Sequence, residues 1–266
     1  MLYLIATPIG NLGDMTFRAV EALKGCDYVL CEDTRHSGVL MKHYGIEKPL
    51  KSFHQFNEKQ REDEVVADLK AGKNVCMVSD AGTPGICDPG ERLVKRCREE
   101  RIAVTAVPGP CAWAMALSLS GMDKSKIQFV GFLDQRDVGE WMSYAGTTIC
   151  YEAPHRIIET LEKIVEIDAK RVVSIMRELT KTFEECLEGS AEEVLGHFRK
   201  TPPKGEMVLL IEGCKIDFKQ GSEVEHVQAL QDQFGLSVAE AIKIAAELRG
   251  VPKREVYNIV HQNSSK

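Results

Sequence analysis

The chain has 266 residues, 44% of them hydrophobic and 28% charged, enough for one large domain or two modest ones with real cores. Its 34 Lys and Arg against 40 Asp and Glu leave a net charge of −6, which excludes a protein that coats nucleic acid or anionic membrane by bulk charge. No run of about 18 apolar residues offers a transmembrane helix. Met1–Gly10 lacks the basic start of a signal peptide, so a soluble, cytoplasmic protein is expected.

The elements alternate along the chain. Leu2–Ala6 reads as a short strand running into the Gly/Pro loop Pro8–Asp14. Thr16 then caps a helix with Phe17, Val20 and Leu23 on one face, closed by Gly25. Asp27–Cys31 is a second strand and enters Glu32-Asp33-Thr34-Arg35. Asn74–Val78 is a third and opens into Ser79–Gly85. Ile102–Val107 is a fourth, followed by Pro108-Gly109-Pro110 and a small-residue helix from Cys111 to Leu119. Glu58–Lys70 and Glu91–Arg101 alternate charges at helical spacing and read as outer helix faces. Strands alternating with helices predict an α/β fold with a mostly parallel sheet, whose ligands bind at the carboxyl ends of the strands.

The pattern pauses near Ser120-Gly121 and resumes with strands at Ile127–Phe132, Thr147–Tyr151, Arg171–Met176 and Glu206–Ile211. Helices begin near Pro154 and Ser190. The expected division is an α/β domain over 1–120, a second over 121–215, and a connector with a helix-turn-helix-like extension over 216–266. In that extension Ser237–Leu248 carries Val238, Ala241, Ile242, Ala245 and Leu248 on one stripe, and Lys253–Val260 begins another helix. Lys243, Arg249, Lys253 and Arg254 could reach phosphates, but Glu240, Glu247 and Glu255 nearly cancel them, so packing is the favoured role.

Nine cysteines without a CxxC, and seven histidines in no paired set, give no metal site; the thiols read as small core hydrophobes. Pro8-x-Gly10-x-x-Gly13 between strand and helix approaches a dinucleotide fingerprint, and an acid follows at Glu32 or Asp33 where a ribose partner would lie. A nicotinamide enzyme is therefore one reading, weakened by Pro8, which lacks an N–H. Asp80 leaves its strand before Ala81-Gly82, and reads equally as a ligand acceptor or as the organiser of an Asx turn. Tyr151–Arg156 and Arg177–Lys181 sit at strand ends, where Arg156, Arg177 and Lys181 together suggest a phosphate-facing cluster.

Taken in order, LYLIATPIGNLGDMTFRAVEAL, CEDTR, HQFNE, VSDAGTPGICDPG, VPGP, YEAPHR, RELTKTFEE and PPKGE resemble the small-subunit ribosomal RNA methyltransferases of the tetrapyrrole methylase-like superfamily, over almost the whole chain. The resemblance implies two α/β domains with S-adenosylmethionine between them and a homodimer. It also implies 2′-O-methylation of a cytidine ribose in 16S ribosomal RNA, within an assembled small subunit. It assigns cofactor contacts to Pro8, Asp80, Ala81, Gly82, Thr83, Cys111, Ala112, Tyr151, Leu179 and Gly205, and puts Glu32, Asp33, Arg35, His155, Arg156, Arg177 and Lys181 on the RNA side. The chemistry of 2′-O-transfer asks for a base: Glu32 or Asp33 first, Glu178 next, with His155 a competitor. Arg35, Arg177 and Lys181 would hold phosphates. Two departures stand out: Cys111 where the resembled family has Ser, and Asp134–Glu140 where it has basic residues. The rival readings are a tetrapyrrole C-methyltransferase and a nucleotide-responsive DNA-binding regulator.

Overall fold

Short apolar runs cut off by Gly and Pro make the first sheet. In the computed structural model, which describes residues 1–134, 137–214 and 221–263, they are β1 (Leu2–Ile5), β2 (Tyr28–Cys31), β3 (Leu50–Ser52), β4 (Val75–Met77) and β5 (Val104–Val107). Their order is β3-β2-β4-β1-β5, and every pairing is parallel. Residues such as Leu2, Val29, Leu30 and Val75 are wholly buried, as strands covered on both faces require. The covering helices are α1 (Phe17–Gly25), α2 (Thr34–His43), α3 (Glu58–Lys70), α4 (Glu91–Glu99) and α5 (Ala112–Leu119). One core forms around Ile5, Leu23, Val29 and Cys76, the other around Leu2, Leu30, Phe53 and Leu93, one on each face. Thr16 caps α1 as expected, but Phe17 is 92% exposed and the buried residues are Ala19 and Leu23. A one-residue rotation of the apolar stripe puts Phe17 outside.

The second sheet has the order β6-β7-β10-β8-β9, from β6 (Ile127–Phe132), β7 (Thr147–Glu152), β8 (Val172–Arg177), β9 (Glu185–Ser190) and β10 (Met207–Ile211). Only β6 and β7 pair in parallel; β10 runs antiparallel to both its neighbours, and β9 antiparallel to β8. The expected parallel arrangement therefore stops with the first sheet. The physical reason is the short β8–β9 connection, which is too brief for a crossover and forms a hairpin. Its helices are α6 (Val138–Met142), α7 (Ile157–Asp168) and α8 (Ala191–Lys200), the last opened by a full capping box between Ser190 and Glu193.

The C-terminal part is three helices, α9 (Glu223–Phe234), α10 (Val238–Arg249) and α11 (Lys253–Asn263), where a connector and a hairpin were expected. A second capping box, Ser222 with Glu225, starts α9. Ala241, Ile242 and Ala245 are buried with Val227 and Leu230, so the stripe packs against α9. Arg249 donates to Glu223 at 2.7 Å and to the Gly221 carbonyl at 3.1 Å, which commits that cation to the helix packing.

The chain divides into two compact units, Met1–Met115 with Leu179–Thr182, and Ala116–Glu178 with Phe183–Lys266. Among the described residues no helix is long and apolar enough to cross a membrane.

Candidate active site

Three loops meet at the carboxyl edge of the first sheet. After β1, Thr7 donates its N–H to the Gly82 carbonyl at 2.8 Å and accepts from the Gly82 N–H at 3.1 Å. Gly82 holds φ +78°, and a Cβ there would press on Ile9 at 3.3 Å, so this turn needs glycine. After β5, the Thr83 hydroxyl donates to the Pro110 carbonyl at 3.0 Å. Gly109 passes so close to β1 that a Cβ would lie 2.9 Å from that of Ala6. Pro8, Ala81, Gly82, Thr83 and Cys111 are thus gathered on one edge, with Asp80 and Ala81 exposed beside buried Pro8. The thiol of Cys111 receives the Ala114 and Trp113 N–H groups, and burial pushes its pKa up. Sulfur here does the capping that a Ser hydroxyl would do at the start of α5, next to Ala112.

The acids lie one strand over. The Glu32 carboxylate receives the Asp80 N–H, while Asp80 accepts the Asp33 N–H at 3.3 Å, so the ends of β2 and β4 are tied reciprocally. Burial, then the neighbouring Asp80 charge, raises the Glu32 pKa from its ordinary value. Asp33 is committed differently. It caps α2 by accepting the Arg35 N–H at 2.8 Å and binds the Arg35 guanidinium at 2.8 and 3.1 Å. Those hydrogen bonds hold its pKa down to about 2. Arg35 is 90% exposed in its side chain. Sequence reasoning missed Asp88, in the same Gly/Pro loop as Asp80. Burial, then the charge of Glu32, pushes Asp88 up to about 7, against a lowering hydrogen bond from Ser79. A second carboxylate within the Ser79–Gly90 segment was the available signal. Lys181 belongs to this unit, its side chain lying over Gly10, where a Cβ would meet its Cγ at 2.5 Å. Leu179 is buried.

The remaining positions belong to the second unit. Tyr151 on β7 meets the rings of Phe129 and Phe132 edge-on, at 5.1 and 5.5 Å between centroids. The Glu178 backbone takes φ +52°, and its carboxylate accepts the Glu206 N–H at 2.9 Å while packing where a Gly205 Cβ would stand. Glu178 therefore braces the turn before β10, an occupation at odds with proton abstraction. Arg156 is held by the Leu133 carbonyl and lies 3.5 Å from buried Glu152, which also accepts from Thr160 at 2.6 Å. Arg177 donates to Glu185 at 2.9 Å. Both arginines thus also bond within the protein, as Arg35 does to Asp33. His155 is exposed at the start of α7. Of the segment Asp134–Glu140, residues 135–136 lie outside the described residues.

Set beside known proteins, residues 1–195 match the model of the tetrapyrrole (corrin/porphyrin) methylases. Two curated relatives are named ribosomal RNA small subunit methyltransferase I. That of Halalkalibacterium halodurans is 42% identical over 98% of this chain and 94% of the relative; that of Bacillus subtilis is 40% identical over 98% and 94%. Among solved structures, uroporphyrin-III-C-methyltransferase of Thermus thermophilus aligns with a TM-score of 0.59 at 18% identity, covering 79% of this chain and 93% of that one. A putative diphthine synthase of Entamoeba histolytica gives 0.58 at 18%, covering 82% and 94%. Those two likenesses speak to fold alone. Fold and loop constellation define a methyltransferase of two α/β units. The chain belongs to the tetrapyrrole methylase family and, within it, to the ribosomal RNA small subunit methyltransferase I branch.

Proposed function

We propose that this chain transfers a methyl group from S-adenosylmethionine to the ribose 2′-oxygen of a cytidine in 16S ribosomal RNA, acting in the cytoplasm as a homodimer on an assembled small subunit. The names of the 40–42% identical relatives support the RNA substrate. The observation that carries the chemistry is the place of the Glu32 carboxyl, which receives the Asp80 N–H at the end of β4, next to the turn in which Gly82 bridges to Thr7.

The residues fit the cofactor. Gly82 and Gly109 leave no room for a Cβ against Ile9 and Ala6, Ala81 adds little bulk beside them, and Asp80, exposed, offers an acceptor to an amino or hydroxyl group. Pro8, Thr83, Cys111 and Ala112 complete that cradle; Tyr151, Leu179 and Gly205 are kept as contacts on the strength of the resemblance. When bound, S-adenosylmethionine supplies an electrophilic methyl group. The protein must then hold the ribose oxygen about 3 Å from that carbon, which supplies a large share of the rate. A ribose hydroxyl attacks poorly until its proton leaves. Glu32 is the proposed base of the pair: its carboxyl is not ion-paired among the described residues and burial raises its proton affinity, whereas Asp33 is bonded to Arg35 and held down at about 2. Arg35, Arg156, Arg177 and Lys181 are the cations proposed to meet RNA phosphates.

The test supplies labelled S-adenosylmethionine with free 16S RNA, small subunits and tetrapyrrole precursors side by side. Label in small-subunit RNA is expected; label confined to a porphyrinoid refutes the proposal in favour of C-methylation.

A further inference from the structure

The HQFNE segment, so far without a role, lies directly beside Glu32. β3 pairs with β2 so that Ser52 stands opposite Cys31, and the Ser52 hydroxyl donates to the Glu32 carbonyl at 3.4 Å. The chain then turns through Phe53, buried with its N–H on the Cys31 carbonyl at 2.8 Å, into His54, whose positive form draws the Glu32 carboxyl down. This turn is braced. The Asn57 side chain accepts the His54 N–H at 2.8 Å and donates to the Ser52 carbonyl at 3.2 Å. The turn nonetheless leaves the Phe56 ring 92% exposed, with the His54 ring edge-on to it at 6.0 Å between centroids.

The charges around that ring are sorted. In the first turns of α3 the acids Glu58 and Glu62 are buried, Glu62 against Arg92 at 3.0 Å. Lys59 is exposed and Arg61 half-buried. Further along, Asp63 and Glu64 are engaged by Arg96 and Lys51. Arg35, its side chain 90% exposed, opens α2 after β2, the strand that pairs with β3. A braced, exposed aromatic ring, with Lys59 and Arg61 in the helical turns that follow it and Arg35 at the end of the neighbouring strand, matches an unpaired base with its phosphates: the base stacks on the ring and the phosphates meet the cations. An apolar protein partner would find charge at the rim of a single ring.

We propose that Phe56 is the stacking platform for an unpaired base of the RNA substrate, next to the ribose presented to Glu32. This rests on the RNA reading above and adds a substrate requirement: the nucleotide at this site must be unstacked from its neighbour.

The test uses the full chain and a fluorescein-labelled decamer of oligocytidylate, with Phe56→Ala, Phe56→Leu and Phe56→Trp. Anisotropy should show binding weakened about 5- to 100-fold by Ala and equally by Leu, which keeps apolar bulk without a π-face. Trp should restore it, and its emission should be quenched on saturation. The same order should appear in KM for small subunits, with S-adenosylmethionine affinity unchanged by calorimetry. Equal decamer binding by all four proteins overturns the proposal, as does a loss of cofactor affinity or of the dimer in Phe56→Ala. If the decamer series holds but no label enters small-subunit RNA, the methylation reading fails and the platform stands.

Discussion

Asp88 gives the sharpest test of the electrostatics at the strand ends. Folded, its carboxyl is pushed up to about 7, mainly by burial and then by Glu32. Unfolded, it titrates near 3.9. Between about pH 4 and 7 the folded chain therefore holds a proton that the unfolded chain has released, and stability falls as pH rises through this window. Three units at about 1.4 kcal/mol each set a ceiling near 4 kcal/mol. Asp88 is only half-buried, so solvent screening cuts this to about 1–2 kcal/mol. Asp88→Asn keeps the shape and removes the titration. Its Tm should equal that of the wild type near pH 4 and exceed it by about 3–6 °C at pH 8, taking about 3 °C per kcal/mol for a protein of this size. The assay is thermal unfolding followed by circular dichroism across that range. A Tm difference that does not change with pH would falsify the assigned environment.

Three further outcomes separate the roles given to neighbouring residues. Glu32→Gln should lower single-turnover methyl transfer by about 10²–10⁴-fold, whereas Asp33→Ala should retain most of the rate and lose about 1 kcal/mol of stability through the lost cap on α2; matched losses in rate would overturn the choice of base. Gly82→Ala should cost about 1–2 kcal/mol at φ +78° and weaken S-adenosylmethionine binding measured by calorimetry, and unchanged affinity would remove this turn from the cofactor site. Arg171, only 4% exposed, donates to the Glu212 and Met142 carbonyls at 2.8 and 3.2 Å, pairs with Asp168 at 3.1 Å and lies over the Phe234 ring. Arg171→Met should cost about 2–4 kcal/mol in denaturant unfolding while leaving cofactor affinity intact.

The first sheet was legible because β1, β2 and β4 are largely buried short apolar runs, and β5, exposed at Thr105 and Ala106, still reads as an apolar run stopped by Pro108. β3 was not, since Leu50-Lys51-Ser52 is three half-buried residues with a lysine at the centre. α2 escaped for a related reason: His36, Gly38 and Val39 break any apolar period, and the helix starts on the Asp33 cap. In the second sheet the strands were visible but their directions were not, because alternation records which face is buried and nothing about the neighbour. β9 has charged residues at Glu185 and Glu188 on a half-exposed edge and was read as loop. The length of the segment between Arg177 and Glu185 held the missing information, since only a hairpin fits it.

At the site, residue types marked the neighbourhood and geometry sorted the roles. Glu32 and Asp33 are adjacent and chemically alike, yet one is buried beside Asp80 and the other is spent on Arg35 and a helix cap. Likewise Arg156 and Arg177 read as phosphate ligands from type alone, and only geometry shows the bonds they also make to the Leu133 carbonyl and Glu185. The net charge of −6 then has a concrete meaning: several cations near strand ends serve internal bonds, which fits recognition by shape and stacking over bulk attraction.

The central claim is the atom that receives the methyl group. Small subunits labelled by the wild-type chain with tritiated S-adenosylmethionine should be stripped of protein and their RNA hydrolysed in alkali, which cannot cleave beside a 2′-O-methylated ribose. The account expects the label in one alkali-resistant dinucleotide whose 5′ residue is 2′-O-methylcytidine. Label released as a base-methylated mononucleotide, or no label in RNA, would contradict it.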